Sequence, residues 1–114
     1  MAIELKYETL TNGITVINLN GTIDALGAQA IDLKFNAISG SQTKVIVNLE
    51  KVDYLSSMGI RTIIMGAKVV QRNSGKMVIF QPTADVEKVL TESGVDTLIP
   101  VFYEMVAAEQ HLLA

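Results

Sequence analysis

The chain has no cysteine, no tryptophan, one histidine and two prolines in 114 residues. Without cysteine there can be no disulfide, no thiol nucleophile and no thiolate metal site. His111 is the sole imidazole, so a histidine-rich metal centre or a serine–histidine nucleophile pair has little to draw on. Aromatic residues make up 5%, which leaves an aliphatic core as the only option. Cations are sparse and scattered singly. Nine Lys and Arg against twelve Asp and Glu give a formal charge of -3 and a pI near 5.0, so there is no basic footprint for nucleic acid. Long apolar runs are also missing. Mean hydropathy is +0.36, yet Lys, Asp, Asn or Gly interrupts every run far short of the ~18 residues of a spanning helix. No membrane insertion is expected. Glu4 stands where a secretory signal would carry basic residues, and the expectation is a cytoplasmic chain.

The hydrophobic fraction of 49% is ample for one domain over residues 1–114. Ile3, Leu5 and Tyr7 alternate with charged residues, the period of a half-buried strand. Asn12-Gly13 is a tight-turn signal, and Ile14 to Leu19 reads as the returning strand of a hairpin. Ala28, Ile31, Phe35 and Ile38 recur at helical spacing up to Gly40. Lys44 to Leu49 is a β-branched run that reads as a buried strand. Ile60, Ile63, Ile64, Ala67 and Val70 form the stripe of a second helix that ends at Asn73-Ser74-Gly75. Another strand, Lys76 to Phe80, precedes a helix started by Pro82-Thr83, with Val86, Val89 and Leu90 inward and Gly94 closing it. Leu98 to Val101 reads as a short last strand, and Tyr103 to Leu113 as a terminal helix with Val106 and Leu113 facing in. After the hairpin, strand and helix alternate. The predicted class is α/β: one mixed β-sheet of four or five strands with an N-terminal hairpin, flanked by four helices. Ile46, Val47, Ile63, Ile64, Val78, Ile79, Val89 and Leu90 are expected in its core.

The junction from Val52 to Ile64 is the most informative stretch. It leaves a strand, passes Ser56-Ser57-Met58-Gly59 and enters an amphipathic helix. Ser56 or Ser57 is a natural N-cap, worth roughly 1 kcal/mol. A hydroxyl at this end of a helix also sits where dipole and free amides favour a phosphate. Gly59 either lets a partner's backbone approach or fits a crowded first turn, and Asp24 is either a cap or a partner contact. Met58 is an adaptable apolar residue suited to a binding surface, and Arg61 a solvated cation able to meet an acidic group. Lys44, Glu50, Lys51 and Asp53 read as a solvated rim, and His111 as surface decoration. There is no general acid–base pair, no phosphate-cradling glycine loop and no metal-ligand spacing. The chain reads as a ligand for other proteins with no cofactor.

Four segments in order resemble the STAS domain, the fold of bacterial anti-sigma factor antagonists and of the cytosolic tails of sulphate transporters. Leu19-Asn20-Gly21-Thr22-Ile23-Asp24 is similar to the family's strand-Gly-x-x-Asp loop, and Val45 to Leu49 to its central strand. Tyr54-Leu55-Ser56-Ser57-Met58-Gly59-Ile60 falls on its aromatic-aliphatic-Asp-Ser-Ser-Gly-Leu segment, and Ser93-Gly94-Val95 on the Ser-Gly-aliphatic after its third helix. The resemblance implies an anti-sigma factor antagonist. Its partners would be an anti-sigma factor that is also a serine kinase, and a metal-dependent serine phosphatase that resets the switch. By position the phosphoacceptor is Ser57, with Ser56 a subsidiary candidate. The partner surface would comprise Asp24, Ser56, Met58, Gly59 and Arg61. Ser56 replaces the usual Asp and Met58 a small residue. The first change keeps a second expectation open, a phosphorylation-independent STAS subunit such as that of a bacterial phospholipid-transport ABC complex. A small enzyme with Ser57 as nucleophile ranks last for want of a nearby base.

Overall fold

The computed structural model describes residues 2–114. The alternating N-terminal segment forms β1 (Glu4–Thr9), which turns back at Asn12-Gly13 to pair antiparallel with β2 (Thr15–Ile23). The Asn12 Oδ1 accepts from the Ile14 amide at 3.1 Å and Gly13 takes a φ of 87°, the left-handed geometry that makes Asn-Gly a turn pair. Then follow α1 (Ala25–Ser41), β3 (Lys44–Leu55), α2 (Ser57–Arg72), β4 (Lys76–Phe80), α3 (Ala84–Ser93), β5 (Val101–Phe102) and α4 (Met105–Leu113). The sheet order is β1-β2-β3-β4-β5, with every pair after the first parallel.

This order explains how the helices are distributed. Parallel neighbours need crossover helices, and crossovers are overwhelmingly right-handed. Strands added in one direction therefore collect their helices on one face. One large cluster accordingly holds Ile31 and Phe35 of α1, Ile63 and Val70 of α2, and Val86 and Leu90 of α3. The opposite face is covered by α4, whose Ala108 and Leu112 pack on Val16, Ile46, Val78 and Phe80. Both clusters are aliphatic apart from a few phenylalanines, as the composition requires. His111 is half-buried on α4, its ring 5.4 Å from that of Phe102, so it is part of this second layer and not mere decoration.

Several expected core positions shift. Ile64 and Val89 are half-buried, not buried. The inward line of α2 runs through Gly59, Ile63, Gly66, Ala67 and Val70, which leaves Ile64 on its flank against the edge of the cluster. In α3 the inward pair is Val86 and Leu90, four apart, and Val89 sits beside it. Val106 and Leu113 of α4 point outward at 67% and 49% exposure, because the helix begins at Met105 and its buried phase is set by Ala108 and Leu112. The last strand is Val101–Phe102, not Leu98 to Val101, since a 3-10 turn at Val95–Thr97 follows Gly94. In turn, β3 runs six residues beyond Leu49, and that extension builds the site below.

The revised phase of α2 is testable by urea denaturation. Ile63→Ala should cost about 2–5 kcal/mol, and Ile64→Ala on the order of 1–2 kcal/mol because only half its side chain leaves the core. Equal losses would contradict this orientation of the helix.

Candidate functional site

The pairing of β2 with β3 continues to the ends of both strands. Ile23 lies opposite Leu55, and the Ser56 amide donates to the Ile23 carbonyl at 2.8 Å. This last rung sets Asp24 beside Ser56, each directly after its strand and each at the start of a helix. Asp24 Oδ1 accepts from the Gly27 amide at 2.7 Å, and Ser56 Oγ accepts from the Gly59 amide at 3.2 Å. Both are N-caps. Two positive helix ends therefore emerge side by side at the carboxyl edge of a parallel sheet, the place where open α/β folds meet their ligands.

The two adjacent serines take different jobs. Ser56 is half-buried and its hydroxyl caps α2. Ser57 is the first helical residue and is exposed. Its hydroxyl is not used as the cap. No acidic residue occupies the first turn of α2 itself. Met58 is 47% exposed and Arg61 is exposed on the next turn. Among the described residues the one ion pair is Lys6 with Glu4 at 3.8 Å, so Arg61 has no carboxylate within pairing range.

Gly59 resolves the other way. It is buried, and a Cβ there would lie 2.6 Å from Ile23 Cγ2 and 2.7 Å from Leu55 Cδ1. Its place on the partner surface is therefore corrected: it faces the sheet and fits a crowded first turn. His111 lies on α4, across the sheet from α2, and offers Ser57 no base.

Beside Met58 and Arg61 runs an open groove of about 670 Å³ between α1 and α2, also lined by Leu26, Asp32, Leu33 and Met65. The helices approach closely because Gly66 presents no side chain to Phe35, whose ring would clash with a Cβ there. Leu26 and Leu33 are 75% and 85% exposed. Sequence reasoning passed over these two, although a signal was present. Leu26 and Leu33, like Met58 and Met65, are seven apart, two helical turns, and lie off the core stripes of their helices.

Different costs are expected for the three junction residues in a thermal or urea melt. Ser56→Ala should lose about 1 kcal/mol with its cap, and Ser57→Ala no more than about 0.5 kcal/mol. Gly59→Ala should exceed both, in the range of about 1–3 kcal/mol for forced overpacking. A Ser57→Ala cost matching that of Ser56→Ala would mean that the cap is wrongly assigned.

Comparison with known proteins points one way. A family model described as the STAS domain matches residues 8–108. BtrV, a candidate anti-sigma factor antagonist of Bordetella bronchiseptica, is 26% identical over 91 residues, covering 79% of this chain and 78% of its own. The crystal structure of an anti-sigma factor antagonist from Mycobacterium paratuberculosis superposes with a TM-score of 0.88 at 18% identity, over 99% of this chain and 96% of that one. The Bacillus cell fate determinant SpoIIAA in its phosphorylated form does so with a TM-score of 0.71 at 22% identity, over 94% of this chain and 98% of that one. The two structural likenesses establish the fold.

Proposed function

The chain belongs to the STAS domain family, and on that footing we propose that it is an anti-sigma factor antagonist switched by phosphorylation of Ser57. It is a regulatory binding protein and not an enzyme. Unphosphorylated, it captures an anti-sigma factor that is also a serine kinase, and so releases a sigma factor. The kinase then transfers the γ-phosphoryl group of ATP to Ser57. The Oγ–P bond forms, the β–γ bridge breaks, ADP leaves and the hydroxyl proton passes to a base of the kinase. A serine phosphatase reverses the step. No helix among the described residues is long and apolar enough to cross a membrane. A kinase partner that spends ATP sets the place of this switch in the cytoplasm.

The observation that carries this reading is the exposed Ser57 hydroxyl at the first position of α2, with its neighbour Ser56 already engaged as the cap. A phosphoserine adds about -1.5 to -2 at neutral pH. On the helix end that charge meets the dipole and unpaired amides, so the fold tolerates it. Within a docked interface the same charge must be desolvated or matched, and a mismatch costs several kcal/mol. Asp24, Ser56, Met58 and Arg61 surround the switch and form the contact surface. Names of relatives support the assignment: BtrV is described as an antagonist of this kind, and a chain of the same fold has been solved phosphorylated.

One observation favours a second reading. Ser56 stands where the family carries Asp, which removes a carboxylate beside the acceptor. That suits a constitutive STAS subunit, for example of a bacterial phospholipid-transport ABC complex.

The two readings separate on incubation with a binding anti-sigma factor kinase and ATP, followed by mass spectrometry. Phosphate on Ser57 is expected. Ser57→Asp should keep the fold, with stability within about 0.5 kcal/mol, and weaken capture at least about tenfold. Ser57→Ala should bind and resist switching. If an active kinase leaves both Ser57 and Ser56 unmodified, the switch is wrong and the constitutive-subunit reading replaces it.

A further inference from the structure

Ser57 and Arg61 are four residues apart on α2 and both are exposed. That spacing stacks them on one face of the helix, with Cβ atoms about 5–6 Å apart. Helical Cα–Cβ bonds tilt toward the N-terminus, which puts the first turn and Ser57 within reach of the Arg61 side chain. The order also suits the helix, with the anionic position N-terminal to the cation.

Arg61 is exposed there. No carboxylate lies within pairing range of it among the described residues. The acidic residues around the junction have other partners. Asp32 Oδ1, which lines the same groove, accepts from the Asn36 side-chain amide at 3.2 Å and from the Thr62 hydroxyl at 3.4 Å. Asp24 Oδ1 is held by the Gly27 amide, and Asp53 Oδ1 accepts from the Thr22 hydroxyl at 2.8 Å. The groove thus has one cationic side chain, on the same helical face as the modifiable hydroxyl.

We propose that Arg61 is an internal phosphate clamp: once Ser57 is phosphorylated, the Arg61 guanidinium closes back on the phosphate, so that modification masks the cation of the docking surface as well as adding negative charge. The proposal rests on the Ser57 switch and describes how it works. Guanidinium offers a planar fork of donors to two phosphate oxygens. The Ser57 and Met58 amides, which have no carbonyl one turn back within the helix, add donors from beneath. An acidic group of a partner that meets Arg61 in the free protein then loses its counter-charge at the same moment that it meets a phosphate. One modification changes the local charge twice.

The test installs phosphoserine at position 57 by genetic code expansion, which needs no kinase, and follows the second ionisation of the phosphate by ³¹P NMR. In the Arg61 protein the clamp holds that midpoint low. Arg61→Gln should raise it by about 0.3 pH units, the size of a surface helix ion pair. Arg61→Lys, which keeps the charge and loses the fork, should recover part of the difference. A purely structural role would not be rescued in the phosphate signal. The unphosphorylated Arg61→Gln protein should melt as the parent does, since the side chain is exposed. A midpoint unmoved by Arg61→Gln overturns the clamp. If a kinase modifies Ser57 and the midpoint is unmoved, the clamp alone falls. If the kinase leaves Ser57 untouched while the installed phosphate titrates low, the clamp stands and the phospho-switch falls.

Discussion

The last rung of the β2–β3 pairing, where the Ser56 amide meets the Ile23 carbonyl, is the contact on which the working surface depends. Both strands run parallel and each hands over directly to a helix, so ending the ladder at that rung aligns two helix starts. The alignment needs β3 to run on to Leu55, well past its apolar centre, and its register with β2 shifts twice on the way, near Asn18–Asn20 and Gly21–Thr22. Val52 and Leu55 remain buried through this stretch while Asp53 and Tyr54 face outward. The strand end is therefore anchored in the core although its outward residues are polar or aromatic. A rigid sheet edge holds the caps, and the caps hold the exposed serine.

Neighbouring hydroxyls with separate tasks give this surface its logic. The cap role of Ser56 commits one lone pair of its Oγ to the Gly59 N–H and fixes the entry of α2. Ser57, one step on, is relieved of that duty. A residue that both capped the helix and carried a modification would couple the switch to helix stability. Here the cap belongs to Ser56, so a charge placed at Ser57 would leave intact the hydrogen bond that starts the helix. Buried Gly59 completes the arrangement by letting the first turn lie against Ile23 and Leu55.

Much of this was legible from residue order. Alternation in Ile3, Leu5 and Tyr7, the Asn12-Gly13 turn, the stripe of α1 and the β-branched run of β3 are local signals, each set by a period or a turn chemistry that acts within a few residues. The strand-to-helix change at Ser56-Ser57 and the cap roles open to Asp24 and Ser56 were of the same kind. Phase at element flanks was not legible. Whether Ile64 or Val89 is buried depends on how far a helix is rotated against the sheet, and that angle is set by all the neighbours packed on it. The outward turn of Val106 likewise follows from where α4 starts.

Residue order alone dictates the alternation of strands and helices, the aliphatic core, the absence of thiol chemistry and the position of the serine junction, because these depend on short-range periodicity and composition. Long-range packing selects which serine caps and which is exposed, since both are competent and the choice falls to the rung that ties Ser56 to Ile23. It also decided that Gly59 faces the sheet, through contacts with residues 36 and 4 positions earlier in the chain. The groove of Leu26, Leu33, Met58 and Met65 arises in the same way. Two stripes on helices distant in sequence become one surface only when parallel crossovers lay those helices side by side.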